Sequence, residues 1–257
     1  MKKLIIVLLL LSMAVGLVAC GEKDTTEQPL TVATEKYAVI IDYYKEYAQS
    51  DMESIAILEL CLNIANELKF EPYGNVSQQF FFSCQFLHDT SLAFAIHDIN
   101  KDCVYELIIF KEDLKSDNEG IETNYSINAV YTLKNNKPVL LGAYWDTYTC
   151  EFNDEGVFIV NGTTLADDGF VATYVIDTKT TSLKLLEALG SETYDKETQE
   201  LLPNARWYYK KDDVKTIVSN EEAHALRIIF DTNYPVFPHS PTTYAEYYEY
   251  LYIKETS

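Results

Sequence analysis

Residues 125–145 read YSINAVYTLKNNKPVLLGAYW. Two runs rich in β-branched and aromatic side chains, 125–133 and 138–145, flank Lys134-Asn135-Asn136-Lys137. Strand chemistry on both sides of a short Asn-rich link predicts an antiparallel hairpin, because asparagine tolerates the left-handed backbone of a tight turn. The pattern recurs downstream. Asn153-Asp154-Glu155-Gly156 links runs 148–152 and 157–160, and Asp177-Thr178-Lys179-Thr180 links 170–176 and 182–187. Parallel neighbours would need crossovers of about a dozen residues or more, so these short links predict a mostly antiparallel β-meander. Residues 79–86, 92–96, 104–110 and 206–210 also read as strands, and 190–204 as a longer polar loop. No strand–helix–strand alternation occurs, which argues against a doubly wound fold.

The flanks of this region are helical. Tyr37, Ile40, Ile41, Tyr44 and Tyr47 recur at helical spacing and share one face. Ser50-Asp51-Met52-Glu53 has the pattern of a capping box, so the helix is expected to break near Gln49 and a second to start at Asp51. That second helix carries apolar residues on more than one face (Leu58, Cys61, Leu62 and Ile64 among them) and is expected to be largely buried. Ser219-Asn220-Glu221-Glu222 opens a late helix running to about Phe230. Thr243-Tyr244-Ala245-Glu246 is a further box. Tyr244, Tyr247, Tyr248, Leu251 and Tyr252 keep helical spacing behind it, whereas Tyr248, Tyr250 and Tyr252 alternate as an edge strand would. The expectation is one α+β domain over 35–257: a helical pair in 35–70 packed on a sheet in 79–211, with short C-terminal helices in 219–257.

The first residues give an address. Lys2 and Lys3 precede an apolar stretch, 4–19, interrupted by Ser12 and Gly16. This is the layout of a secretory signal, and it is shorter than the roughly 18 apolar residues of a spanning helix. Leu17-Val18-Ala19-Cys20 then resembles the lipobox of bacterial lipoproteins. The resemblance implies cleavage before Cys20 and a diacylglyceryl thioether on its sulfur. It thereby implies export and lipid anchoring to the outer face of the cytoplasmic membrane, in the Gram-positive arrangement. Residues 20–34 would then be a lipidated end and a polar tether reaching roughly 20 Å. Composition agrees with a surface life and excludes one partner class. The 257 residues hold 40 acidic and 20 basic side chains, a net charge of −20, so no basic footprint for nucleic acid exists.

The sharpest local motif is Asp98-Ile99-Asn100-Lys101-Asp102-Cys103-Val104-Tyr105-Glu106. Oxygen side chains fall at positions 1, 3, 5 and 9, and Val104 at position 7 would offer its carbonyl. A hard cation such as calcium takes six to eight oxygens, which a looping backbone can aim at one centre. The segment 94–110, FAIHDINKDCVYELIIF, resembles a D-x-D-G-D-G-x-x-E-L signature of secreted and lipid-anchored proteins of Gram-positive gut bacteria. It is also similar to the calcium loops of FG-GAP and VCBS-type repeats. The resemblance implies Asp98, Asn100, Asp102, Val104 and Glu106 as metal ligands and calcium as a cofactor. Lys101 and Cys103 stand where that signature has glycine, so the competing expectation is a loop that kept its shape without its metal.

Other candidates are fewer. Trp145, Trp207, Tyr208 and Tyr209 are candidates for a flat stacking surface for a sugar or peptide. Cys61, Cys84, Cys103 and Cys150 lack C-x-x-C spacing. Cys61 and Cys84 sit in apolar runs and read as buried free thiols, while disulfide pairing stays open. Glu221 and His224 match half of a di-iron helix motif and read as a solvated face. No G-x-S-x-G, H-E-x-x-H or Walker sequence occurs. The sequence therefore points to a lipid-anchored, non-catalytic binding or scaffolding module. A solute-binding lipoprotein for a sugar or peptide and a cell-envelope hydrolase are the alternatives.

Overall fold

The computed structural model describes residues 30–49, 54–69, 75–85, 87, 91–117, 120–165, 168–195, 198, 200–235 and 247–251. The leader 1–19, Cys20, the Ser50 cap and the 243–246 box lie outside them. Three helices come first: α1 (Leu30–Gln49), α2 (Ser54–Leu68) and α3 (Asn75–Gln85). Ten strands follow: β1 (Leu92–His97), β2 (Glu106–Asp117), β3 (Gly120–Lys134), β4 (Lys137–Ala143), β5 (Tyr148–Phe152), β6 (Phe158–Leu165), β7 (Asp168–Asp177), β8 (Ser182–Tyr194), β9 (Leu201–Lys211) and β10 (Val214–Val218). Helix α4 (Asn220–Asn233) and strand β11 (Tyr247–Leu251) close the chain.

The fold is α+β, and every strand pairing is antiparallel. The meander divides into two sheets, of order β11-β1-β2-β3-β4 and β10-β9-β8-β7-β6-β5. The chain changes sheet at the tight turn after β4, where Trp145 bridges Tyr148. Alternation along each strand then builds four layers. On β1, Phe94 and Ile96 face the three N-terminal helices, together with Tyr37, Ile40, Tyr44 and Phe80. Ala93 and Ala95 face the other way, into a second core with Phe152, Phe158 and Val160 of the six-stranded sheet. The far face of that sheet packs Val171 and Leu189 against Ala223 and Phe230 of α4.

The expected turns are present. Asn135 and Asn136 have φ of 52° and 59°, the left-handed pair that a two-residue hairpin requires. Ser219 and Glu222 form the reciprocal capping box at α4. Other expectations need correction. Helix α1 begins at Leu30, inside the expected tether, because Ala33 extends the buried stripe of Tyr37, Ile40 and Tyr44 by one turn. Residues 79–86 are not a strand. Phe80, Ser83, Cys84 and Leu87 are buried at spacings of three, four and seven, so the segment ends a helix, α3, with Phe82 outward. Helix α2 is not largely buried: Leu58 and Leu62 are exposed, while Leu60, Cys61 and Ile64 face the core.

Residues 190–204 are mostly strand rather than loop. Their polarity conceals an ion pair: the buried Glu192 carboxylate accepts hydrogen bonds from Arg206 (3.1 Å) and Lys215 (2.5 Å). Residues Tyr247–Leu251 are an edge strand, not a helix, since β11 pairs with β1 from Leu92↔Leu251 to Ile96↔Tyr247. Its alternating tyrosines are placed by the open edge of β1, which takes a strand and has no room in its ladder for a helix.

Candidate functional site

The loop 98–106 holds its shape with its own carboxylates. Asp98 Oδ1 accepts from the Asp102 amide (3.0 Å) and Oδ2 from the Cys103 amide (2.9 Å). Asp102 Oδ1 accepts from the Val104 amide, and Oδ2 from the Asn100 side-chain Nδ2 (3.0 Å). Glu106 turns inward. Its Oε2 accepts from the Ile99 amide (3.0 Å) and its Oε1 from the Thr132 hydroxyl (2.9 Å). Lys101 and Cys103 have φ of 57° and 69°, so the backbone there takes the left-handed conformation that favours glycine. Burial pushes the Glu106 carboxyl well above its usual range, against the Ile99 and Thr132 hydrogen bonds that favour its charged form. Burial also raises Asp98, against the two amides it accepts.

Each oxygen of the three carboxylates meets a protein donor, Glu106 bridging Ile99 in the loop and Thr132 in β3, whereas Asn100 Oδ1 is buried and meets none among the described residues. Among the described residues no group of three His, Cys, Asp or Glu is arranged to hold a metal. The loop also ties the two sheets together. Lys101 Nζ donates to the Asp154 carbonyl (2.8 Å). Gly156 (φ +73°) lies so close that a Cβ there would sit 2.6 Å from the Ile99 carbonyl.

The four candidate aromatics do not form one surface. Trp145 stacks between Tyr148 (centroids 4.7 Å apart) and Phe82 (5.7 Å) at the sheet crossover. Trp207 and Tyr209 face α4, and Tyr208, one residue out of phase, points to the opposite face beneath Lys215. Trp207 alone of the four lines a cavity beside α4. That cavity is an open groove of about 860 Å³ between the first half of α4 and the outer face of the six-stranded sheet. Its floor includes Phe170, Val171, Leu189 and Trp207; His224 and Arg227 of α4 stand on one rim and Asp146 on the other. His224 is exposed, as expected, but its helix face borders this groove rather than open solvent alone. The far end of α4 is tied down by a carboxylate. Glu187 accepts from the hydroxyls of Tyr209 and Tyr234, with Lys211 3.7 Å away. Although burial opposes it, these donors hold the Glu187 carboxyl below its usual range.

A second cavity, of about 310 Å³, shares Asp146 and Thr149 with the groove and is lined by residues of both sheets and of the crossover that joins them. Lys111, Ser126, Ile127, Asn128, Tyr144 and Trp145 complete its wall. Lys111 is buried in β2 and its ammonium pairs with Asp146, which is 57 % exposed. A buried lysine needs such an anion, because an unpaired charge out of water costs several kcal/mol. Asn128 is 2 % exposed and sits on a bulge of β3. Ile127 pairs with Phe110 and Ala129 with Ile109, which leaves Asn128 unmatched. Its Nδ2 donates to the carbonyls of Ser83 (3.3 Å) and Tyr144 (3.2 Å), which fixes the amide's orientation. Its Oδ1 has no partner among the described residues.

Lys111 and Asn128 escape a reading by motif. The only trace in the sequence is one polar residue inside each of two apolar strand runs, at 107–111 and 127–131. The cysteines are quieter. Cys61, Cys84 and Cys150 are free and buried. No known family model matches this chain. No curated protein and no solved structure matches it either.

Proposed function

We propose that this protein is an exported binding protein, held to the membrane by lipid on Cys20, whose folded domain captures an extended glycan or peptide in the groove beside α4. The groove carries the reading. Its volume falls within the ~300–1,000 Å³ of ligand sites, and it combines an aromatic and aliphatic floor with a few polar groups on its rims. Those polar groups are arranged for contact rather than for chemistry. Arg227 pairs with Asp231 (3.1 Å) and Asp146 with Lys111, and no nucleophile–base pair lies in the groove wall. The Leu17-Val18-Ala19-Cys20 sequence supports the anchor, and the acidic body supports a domain that stands off an anionic membrane surface.

The binding test uses the full chain against cello-, xylo-, manno- and chito-oligosaccharides and a decapeptide library, read by tryptophan fluorescence and calorimetry. The expected result is saturable binding to one class, weakened at least tenfold by Trp207→Ala, with no turnover of the bound ligand. Turnover would favour the hydrolase reading, and binding to neither class would refute the groove. The anchor is tested separately by labelling cells with an alkynyl fatty acid. The label should be lost in Cys20→Ala.

A further inference from the structure

We propose that the 310 Å³ cavity at the sheet crossover is a subsite for one neutral, polyhydroxylated ring, a monosaccharide or cyclitol. This rests on the groove reading and deepens it, since the cavity opens beside the groove at Asp146 and Thr149. The first observation is the Asn128 amide. The chain spends a β-bulge and two hydrogen bonds on orienting it, and the orientation leaves a buried acceptor, Oδ1, without a donor. An unmet buried acceptor is destabilising, so a group that brings an O–H or N–H to it is favoured. The second observation is charge. Lys111 and Asp146 already neutralise one another. A charged guest would have to compete with that pair, whereas a hydroxyl both donates and accepts and can bridge it without adding charge.

The remaining wall is of the same kind. Ser126 and Thr149 supply hydroxyls, and Trp145 and Tyr144 supply aromatic surface. The volume is that of roughly ten waters at ~30 Å³ each, which suits a ring of about a dozen heavy atoms and is too small for two. A longer glycan would lie in the groove with one terminal ring in this subsite.

The experiment titrates the full chain with glucose, galactose, mannose, N-acetylglucosamine and myo-inositol, with glycine and glutamate as charged comparators. Calorimetry and thermal melts are the readouts. At least one neutral ring should bind and raise Tm by several degrees at saturation, and the charged compounds should not. Lys111→Met should weaken that binding at least tenfold. Thr149→Val, an isosteric change on a strand, should weaken it about threefold and carries the test if the lysine variant does not fold. If oligosaccharides or peptides bind the groove but no single ring does, the subsite proposal fails and the groove reading stands. If a ring binds with unchanged affinity in both variants, its site is elsewhere and the proposal fails. If nothing binds, both readings fail, and water alone satisfies Asn128.

Discussion

Glu106 joins the loop 98–106 to the sheet, and its removal can be costed. Glu106→Ala deletes two hydrogen bonds, to the Ile99 amide and the Thr132 hydroxyl, and leaves the Ile99 N–H buried beside a side chain that is 1 % exposed. Each bond contributes about 0.5–1.5 kcal/mol net, and a stranded buried donor costs about 1–3 kcal/mol more. The sum is about 3 kcal/mol, which for a domain of this size lowers Tm by roughly 6–12 °C. Glu106→Gln should behave differently. Its Oε1 can accept from Ile99, and its Nε2 can donate to the Thr132 hydroxyl, which is able to accept. It should stay within about 1 kcal/mol of the parent at pH 7.

The pH dependence follows from the sign of the shift. The folded carboxyl titrates above its unfolded value, because burial disfavours the charge. Its contribution is therefore fully present below the unfolded value of about 4.3 and is lost as pH rises through the raised folded value. Thermal melts from pH 4 to 8 should show Glu106→Gln gaining on the parent as pH rises. A loss under about 1 kcal/mol for Glu106→Ala would refute the reasoning. So would a Gln variant as damaged as the Ala variant, or an Ala cost that appears only when calcium is present.

Four further outcomes are expected. Calcium and a chelator should leave Tm of the full chain equal within about 1 °C, since the loop carboxylates are satisfied by protein donors; a shift of several degrees that Asp98→Ala abolishes would restore the metal reading. Gly156→Ala should destabilise by about 1–3 kcal/mol, seen as a lower denaturation midpoint, because a Cβ at φ +73° meets the Ile99 carbonyl at 2.6 Å. Glu187→Gln should cost about 1–2 kcal/mol at pH 7. Glu187 titrates below its unfolded value, so that difference should persist above pH ~4.3 and shrink as pH falls through the lowered folded value. Cys61, Cys84 and Cys150 should react with a thiol reagent only after denaturation; fast labelling of the native protein would contradict their burial.

Local chemistry is what the sequence by itself determined. The Asn135-Asn136 turn, the Ser219 capping box and the Tyr37–Ile40–Tyr44 stripe are each written in a few neighbouring residues, because turn dihedrals, helix caps and helix faces depend on residues at most a turn apart. The α+β class and the antiparallel pairing follow from them. Only the tertiary structure decided how the strands divide into two sheets, and which face of β1 meets helices and which meets strands. Residues 79–86 show why: an apolar aromatic run suits a buried strand or a helix, and the packing of Phe80, Cys84 and Leu87 against α1 and α2 selects the helix. Glu192 reads as loop polarity until strand register sets it opposite Arg206. The candidate site is the extreme case. Lys111, Asn128, Asp146 and Thr149 lie on different segments, and Asn128 is aimed by a bulge that exists only once β2 and β3 pair. Short-range rules fix what a residue can do locally. Long-range pairing alone brings these four to one cavity, because that convergence is a property of strand register and sheet packing rather than of any single stretch of chain.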